Sequence, residues 1–247
     1  MPMIVDSLSQ QNSSRRPLPA YKLSVVMPVY NEAATLVEAV ARVQATGIVH
    51  ELILVNDGST DGTQQLLSDL HCKSNINVLS HTTNRGKGAA LKTGFFHVSG
   101  DIVIVQDADL EYDPRDYQRL LGPILDGVAD VVYGSRFAGG ANEDMPGIRR
   151  FANCMITWLS NLATGLRLTD VETCYKAFRR EVLDEVSHSL VEDRFGIEIE
   201  LTARMARVPG VRIVERSIQY RPRGYSDGKK ITWKDGVRAV WCVLRYR

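Results

Sequence analysis

"DIVIVQDADLEYDPRDYQRLLGPIL", residues Asp101 to Leu125, joins two periodicities across a short acidic bridge. "DIVIVQD" is apolar through its middle, as a strand buried on both faces would be. From Pro114 onward, apolar residues return at helical spacing. Between the two, Asp107, Asp109, Glu111 and Asp113 occupy every second position. A strand that ends on crowded carboxylates and feeds a helix is one βα unit.

The unit recurs along the chain. "KLSVVMPVY", "ELILVND", "INVLSH" and "ADVVYGSRF" read as further strands. Between them lie the amphipathic stretch "EAATLVEAVARVQA", with Leu36, Ala39, Val40 and Val43 on one face, a helix around Thr63–Leu70, and "KGAALKTGFFHV". Strands alternating with helices predict an α/β fold, a mostly parallel open sheet with helices on both faces. Ligands of such sheets bind beyond the carboxyl ends of the strands. The polar clusters "YNE", "NDGSTDG", "NRGKG" and "QDADLE" all fall there.

At 247 residues and 44% hydrophobic, the chain is long enough to bury a full core. A net charge of +1 gives no general argument for nucleic acid as a partner. Four scattered cysteines, without a CxxC pair, point to reduced thiols in a cytoplasmic protein. Residues 1–20 read as a mobile leader, rich in Ser, Gln, Asn and Pro and unlike a secretory signal. After Phe137 come "MPGIRRFANCMITWLSNLATGLRL", "DVETCYKAFRREVLDEV", "FGIEIELTARMARV", a strand in "VRIVERSIQYRPR" and the polar loop "GYSDGKK".

Residues two apart in an extended segment point the same way, so Asp107, Asp109 and Glu111 can converge. Crowded carboxylates hold their protons more tightly unless a cation is present. Mg²⁺ and Mn²⁺ accept one or two carboxylates together with phosphate oxygens and water; a solvated acidic loop is the alternative. Asp113, before Pro114, reads instead as a helix N-cap with proline at N1. In "NRGKGAALKTG", Gly86 and Gly88 beside Arg85 and Lys87 either hold a phosphate or simply turn into a helix. Asp57, closing a buried strand, can accept hydrogen bonds from a base or ribose, or belong to an ordinary turn.

"VVMPVYNEAATL", "LILVNDGSTDGT", "NRGKGAALKTGF", "VQDADLEYDP" and "GSRF", in this order, resemble the inverting family-2 glycosyltransferases with a GT-A nucleotide-sugar-binding fold. More narrowly the chain is similar to the dolichol-phosphate mannose synthase and polyprenyl-phosphate glycosyltransferase branch. The resemblance runs from Leu23 to the C-terminus and implies a GT-A domain over 21–230. It implies donor contacts by Pro28, Tyr30, Asn31, Glu32, Asp57, Arg85, Lys87, Gln106, Ala108, Arg136 and Ser226. Asp107 and Asp109 match the DxD pair that holds Mg²⁺ or Mn²⁺ on the donor diphosphate, with Glu111 as a third ligand. Arg223 and Lys229 match a basic loop that closes over the diphosphate. After Asp170, Val171, Glu172, Thr173, Cys174 and Tyr175 depart from the branch pattern, where sugar specificity is set.

The implied reaction is metal-dependent transfer of a hexose, with inversion, from a GDP-mannose or UDP-glucose type donor. The acceptor implied is a polyprenyl (dolichyl or undecaprenyl) phosphate; the alternative is a hydroxyl on a glycan, protein or small molecule. A phosphate monoester is already anionic near neutral pH, whereas a hydroxyl needs a base. Asp170, Glu172 and Asp193 are the candidates, with Asp170 taken as catalytic. Residues 231–247, "ITWKDGVRAVWCVLRYR", interleave aromatic and cationic residues, and Ile148 to Leu168 carries Arg149 and Arg150 at its start with apolar residues at most later positions. That pattern suits an interfacial helix at the cytoplasmic face of a membrane, or a helix packed on the domain, in an oligomer or on an anchoring partner.

Overall fold

The computed structural model describes residues 20–70, 74–138, 147–222 and 233–247. Strands β1 (Leu23–Val29), β2 (Val49–Asn56), β3 (Ile76–Ser80) and β4 (Ile102–Val105) alternate with helices α1 (Leu36–Ala45), α2 (Thr63–Leu70) and α3 (Lys87–Phe95). A 3₁₀ turn (Pro114–Asp116) leads into α4 (Tyr117–Leu125), followed by β5 (Val131–Ser135) and α5 (Gly147–Thr164). The chain continues through β6 (Lys176–Arg179), α6 (Arg180–Ser187), α7 (Ile197–Met205), β7 (Ile213–Ser217) and α8 (Trp233–Tyr246).

The seven strands form one mixed sheet in the order β3-β2-β1-β4-β6-β5-β7. β1 lies parallel to both β2 and β4, and it is buried along nearly its whole length. That double flanking explains its uninterrupted apolar run. The core face expected for α1 is the observed one: Leu36, Ala39, Val40 and Val43 are all buried. α3 approaches β1 so closely that a Cβ at Gly94 would stand 2.4 Å from Val26 Cγ1. Asp113 caps the next turn as expected, its carboxylate accepting from Arg115 N at 3.0 Å with Pro114 following.

The element least legible in advance is β6, inserted antiparallel between β4 and β5. Its four residues sit inside "CYKAFRREVL", where a buried Lys176 interrupts the apolar pattern. Through β6, the Asp170–Tyr175 segment is drawn over the sheet beside the carboxyl end of β4. No helix of the described residues is long and apolar enough to cross a membrane.

Asp130 fastens this second half of the sheet. It is 1% exposed and accepts from Arg212 N (2.9 Å), Nε (3.0 Å) and Nη2 (2.9 Å), with Arg179 Nε at 3.5 Å. The group ties the start of β5 to the end of β6 and to the approach to β7. Removing one member of a buried ion cluster leaves uncompensated charge, which typically costs about 3–5 kcal/mol. Asp130→Ala is expected to lower unfolding free energy by about that amount, read from the urea midpoint at unchanged m-value.

Candidate active site at the carboxyl ends of β1, β2 and β4

Two loops form the first wall. After β1, Asn31 adopts a left-handed backbone conformation (φ 51°). Its N–H donates to Ser59 Oγ (3.0 Å) and its Oδ1 accepts from Thr60 N (2.8 Å). Glu32 N donates to Thr63 Oγ1 at 3.0 Å, and Ala33 N to Asp61 Oδ2 at 3.2 Å. "YNE" and "NDGSTDG" are thereby laced into one rim, which carries Pro28, Tyr30, Asn31 and Glu32.

Asp57, 2% exposed, sits behind that rim. One carboxylate oxygen accepts from Arg85 N at 3.0 Å and lies 2.7 Å from His81 Nδ1; the other accepts from Gly86 N at 2.7 Å. His81 Nε2 is in turn 2.9 Å from Thr93 Oγ1. Asp57 therefore orders the glycine turn directly. His81 went unnoticed in the sequence, where it is only the residue closing the third strand.

Of the two readings of that turn, the entry into a helix is the one its hydrogen bonds display. The amides of Arg85 and Gly86 belong to Asp57, and Ala89 N donates to Asp193 O at 3.0 Å. The glycines are there for backbone contact. A Cβ at Gly86 would stand 2.4 Å from Asp193 O, and one at Gly88 2.3 Å from Glu192 O. Segment 192–194 is itself clamped from behind, because Arg238 of α8 holds the Glu192 carboxylate at 3.0–3.1 Å and Tyr246 donates to it at 2.8 Å.

From the start of α3, Lys87 reaches into the site. Its Nζ lies 2.9 Å from Asp107 Oδ1 and 3.0 Å from Glu198 Oε1. Lys176 Nζ meets the other Glu198 oxygen at 2.5 Å and also donates to Thr173 O. Two carboxylates and two ammoniums thus alternate across the floor. Burial alone would lower the Lys87 pKa, but Asp107 and Glu198 outweigh it and hold the ammonium well above its ordinary range. Lys176 was not singled out from the sequence.

Gln106 is buried, and its side chain bonds within the protein. Nε2 donates to Asp107 O (2.9 Å), and Oε1 accepts from Tyr117 (2.8 Å) and Tyr175 (2.7 Å). With Ala108 also buried, these contacts fix the backbone that presents Asp107 and Asp109. Asp109 accepts from Glu111 N at 3.1 Å across Leu110, whose φ is 64°. Glu111 Oε2 accepts from Tyr220 Oη at 2.7 Å. Among the described residues, no group of three His, Cys, Asp or Glu side chains converges on a common point. The expected three-carboxylate set is thus not assembled. Half-buried Asp107 and Asp109 remain, a hard-oxygen pair that fits Mg²⁺ or Mn²⁺ when diphosphate oxygens complete the shell.

On the far side, Arg136 grips Asp170 with Nε at 2.7 Å and Nη2 at 2.8 Å, and its own N–H adds a third bond at 3.0 Å. Asp170 is fully buried, so both oxygens of the expected catalytic base are engaged. Asp193, another base candidate, pairs with Lys92 at 2.7 Å. Glu172 differs: it is half-buried, and no described residue hydrogen-bonds its carboxyl. Burial, reinforced by Asp170 and Glu198 against Arg136 and Lys176, pushes it up to about 7. Arg85 is exposed on the rim, and Arg223, Ser226 and Lys229 lie outside the described residues.

Residues 24–187 match the family model described as Glycosyl transferase family 2. The fold is similar to glucosyl-3-phosphoglycerate synthase from Mycobacterium tuberculosis in complex with Mn²⁺, uridine diphosphate and phosphoglyceric acid. The TM-score is 0.71 at 24% identity, covering 92% of this chain and 78% of that one. The same enzyme in complex with Mn²⁺, UDP-glucose and phosphoglyceric acid matches at TM-score 0.66 and 26% identity, covering 91% and 78%.

Two substitutions probe this geometry. Gly88→Ala must displace segment 192–194, and overpacking of this kind costs about 1–3 kcal/mol, to be read from the urea midpoint. With Asp107 and Asp109 as the protein ligands of a bound cation, Asp109→Ala is expected to weaken Mn²⁺ affinity, measured by calorimetry, by at least the roughly 10–100-fold that outer-shell changes cost.

Proposed function

The chain belongs to glycosyl transferase family 2, and we propose that it moves a hexose from a nucleotide-diphosphate sugar to a hydroxyl of a small phosphate-bearing acceptor. Glu172 is the general base. The observation that carries this reading is its carboxyl, which is half-buried, not hydrogen-bonded by any described residue, and poised near neutrality. A base is most effective when its pKa lies near the working pH. Support for the acceptor class comes from the M. tuberculosis synthase, whose complexes hold UDP-glucose, Mn²⁺ and phosphoglyceric acid.

The work divides along the two sides of the site. The rim of Tyr30, Asn31 and Glu32 receives the nucleotide, and Asp57 keeps the adjoining turn in place. A divalent cation held by Asp107 and Asp109 would neutralise charge developing on the leaving diphosphate. Lys87 holds Asp107 in place through an ion pair at 2.9 Å. Arg136 and Asp170 hold the segment that carries Glu172, which removes the acceptor proton for direct displacement with inversion.

A second reading, transfer to a polyprenyl phosphate, is favoured by one observation, the apolar outer face of α5. That acceptor needs no base, so one variant separates the two readings. With UDP-glucose, Mn²⁺ and 3-phosphoglycerate, kcat should fall as pH drops through about 7, because the base is ionised only above its pKa. Glu172→Gln should lose roughly 10²–10⁴-fold in kcat and lose that pH limb, while UDP binding is retained. A variant with near-normal kcat and an unchanged pH profile would remove Glu172 from the chemistry.

A further inference from the structure

We propose that the outer face of α5 is a docking surface for an anionic lipid bilayer. Helix α5 is built inside out. Its inward positions include the buried polar residues Asn153, Thr157 and Ser160. Outward stand Phe151, Met155, Trp158 and Leu162, exposed by 70, 42, 62 and 74%. Their spacing of four, three and four residues makes one continuous helical stripe. A helix facing water shows the reverse arrangement, with polar residues outside.

Asn153, Thr157 and Asn161 on the inner side are all hydrogen-bonded, so the helix is not simply rotated out of register. Thr157 donates to Asn153 Oδ1 and accepts from Val171 N, both at 3.2 Å. Asn161 accepts from Leu168 N at 3.0 Å and donates to Leu168 O at 2.8 Å. These bonds fix the inner face against the segment leading into Asp170 and Glu172. They leave the apolar stripe pointing away from the protein.

Charge decides between a bilayer and a second copy of the chain. Among the described residues, the exposed part of α5 carries Arg150 and no acid. α8, packed against α5, adds exposed Leu244, Arg245 and Arg247, with Trp241 stacked between Arg238 (4.3 Å) and Arg245 (4.8 Å). A two-fold contact sets a patch against its own copy, here cation against cation around apolar centres. An anionic bilayer satisfies both parts at once: acyl chains receive the stripe, and headgroups meet the arginines. The surface does not depend on which acceptor is glycosylated.

Flotation of the full chain with phosphatidylcholine vesicles, with and without phosphatidylglycerol, tests this. The protein should float with the anionic vesicles only, and less as salt is raised. Trp158→Ser/Leu162→Ser, and separately Phe151→Ser, should each cut the bound fraction, the double variant by roughly tenfold or more. Both should keep the wild-type thermal transition and Mn²⁺-dependent UDP binding, since their side chains are exposed. Three results would overturn the proposal: no preference for anionic vesicles, undiminished binding by both variants, or a wild-type dimer in sedimentation velocity that the double variant dissociates.

Discussion

The ammonium of Lys87, buried between Asp107 and Glu198, is the contact on which the site depends. An unpaired carboxylate at the end of β4 would be repelled by its neighbours and would tend to protonate. Lys87 bridges Asp107 and one oxygen of Glu198, and Lys176 pairs with the other oxygen. Asp107, Lys87, Glu198 and Lys176 thus form a balanced array of two carboxylates and two ammoniums. Because the floor is neutral, diphosphate can approach without meeting three unscreened carboxylates.

Lys87 is placed by backbone geometry rather than by its own stem. α3 begins where it does because Asp57 holds the amides of Arg85 and Gly86, and because Gly86 and Gly88 admit the backbone of 192–194. That segment is pinned in turn by Arg238 and Tyr246 through Glu192. The C-terminal helix, far along the sequence, thus braces the turn that delivers the lysine. On the acceptor side the same principle holds: Arg136 and Asp170 neutralise each other and freeze the loop, leaving Glu172 with no described hydrogen-bond partner. Buried ion pairs add little net stability, but they fix geometry when every member is satisfied.

Much of this architecture was legible from periodicity. The runs in "KLSVVMPVY" and "DIVIVQD" identify buried parallel strands, and the polar clusters after them mark the site because strand ends face one way. Asp113 and Pro114 announced their turn through local capping chemistry alone. β6 was not legible, since four residues with a buried lysine carry neither alternation nor an apolar run. The partners of Lys87 were equally hidden, because Glu198 lies over a hundred positions away and only the fold brings it near. Asp170 drew attention as a carboxylate in the right segment, but sequence could not show that Arg136 already occupies both of its oxygens. For the same reason, the close backbone crossing that Gly86 and Gly88 permit could not be read from the sequence.

Product chemistry tests the central claim most directly. The protein should be incubated with Mn²⁺, a panel of radiolabelled nucleotide sugars, and either 3-phosphoglycerate or a polyprenyl phosphate. Metal-dependent transfer into a water-soluble glycoside, with the anomeric configuration inverted relative to the donor, is the predicted result. Label found only in a lipid-extractable product would contradict the hydroxyl acceptor. No transfer from any donor to either acceptor would contradict the account as a whole.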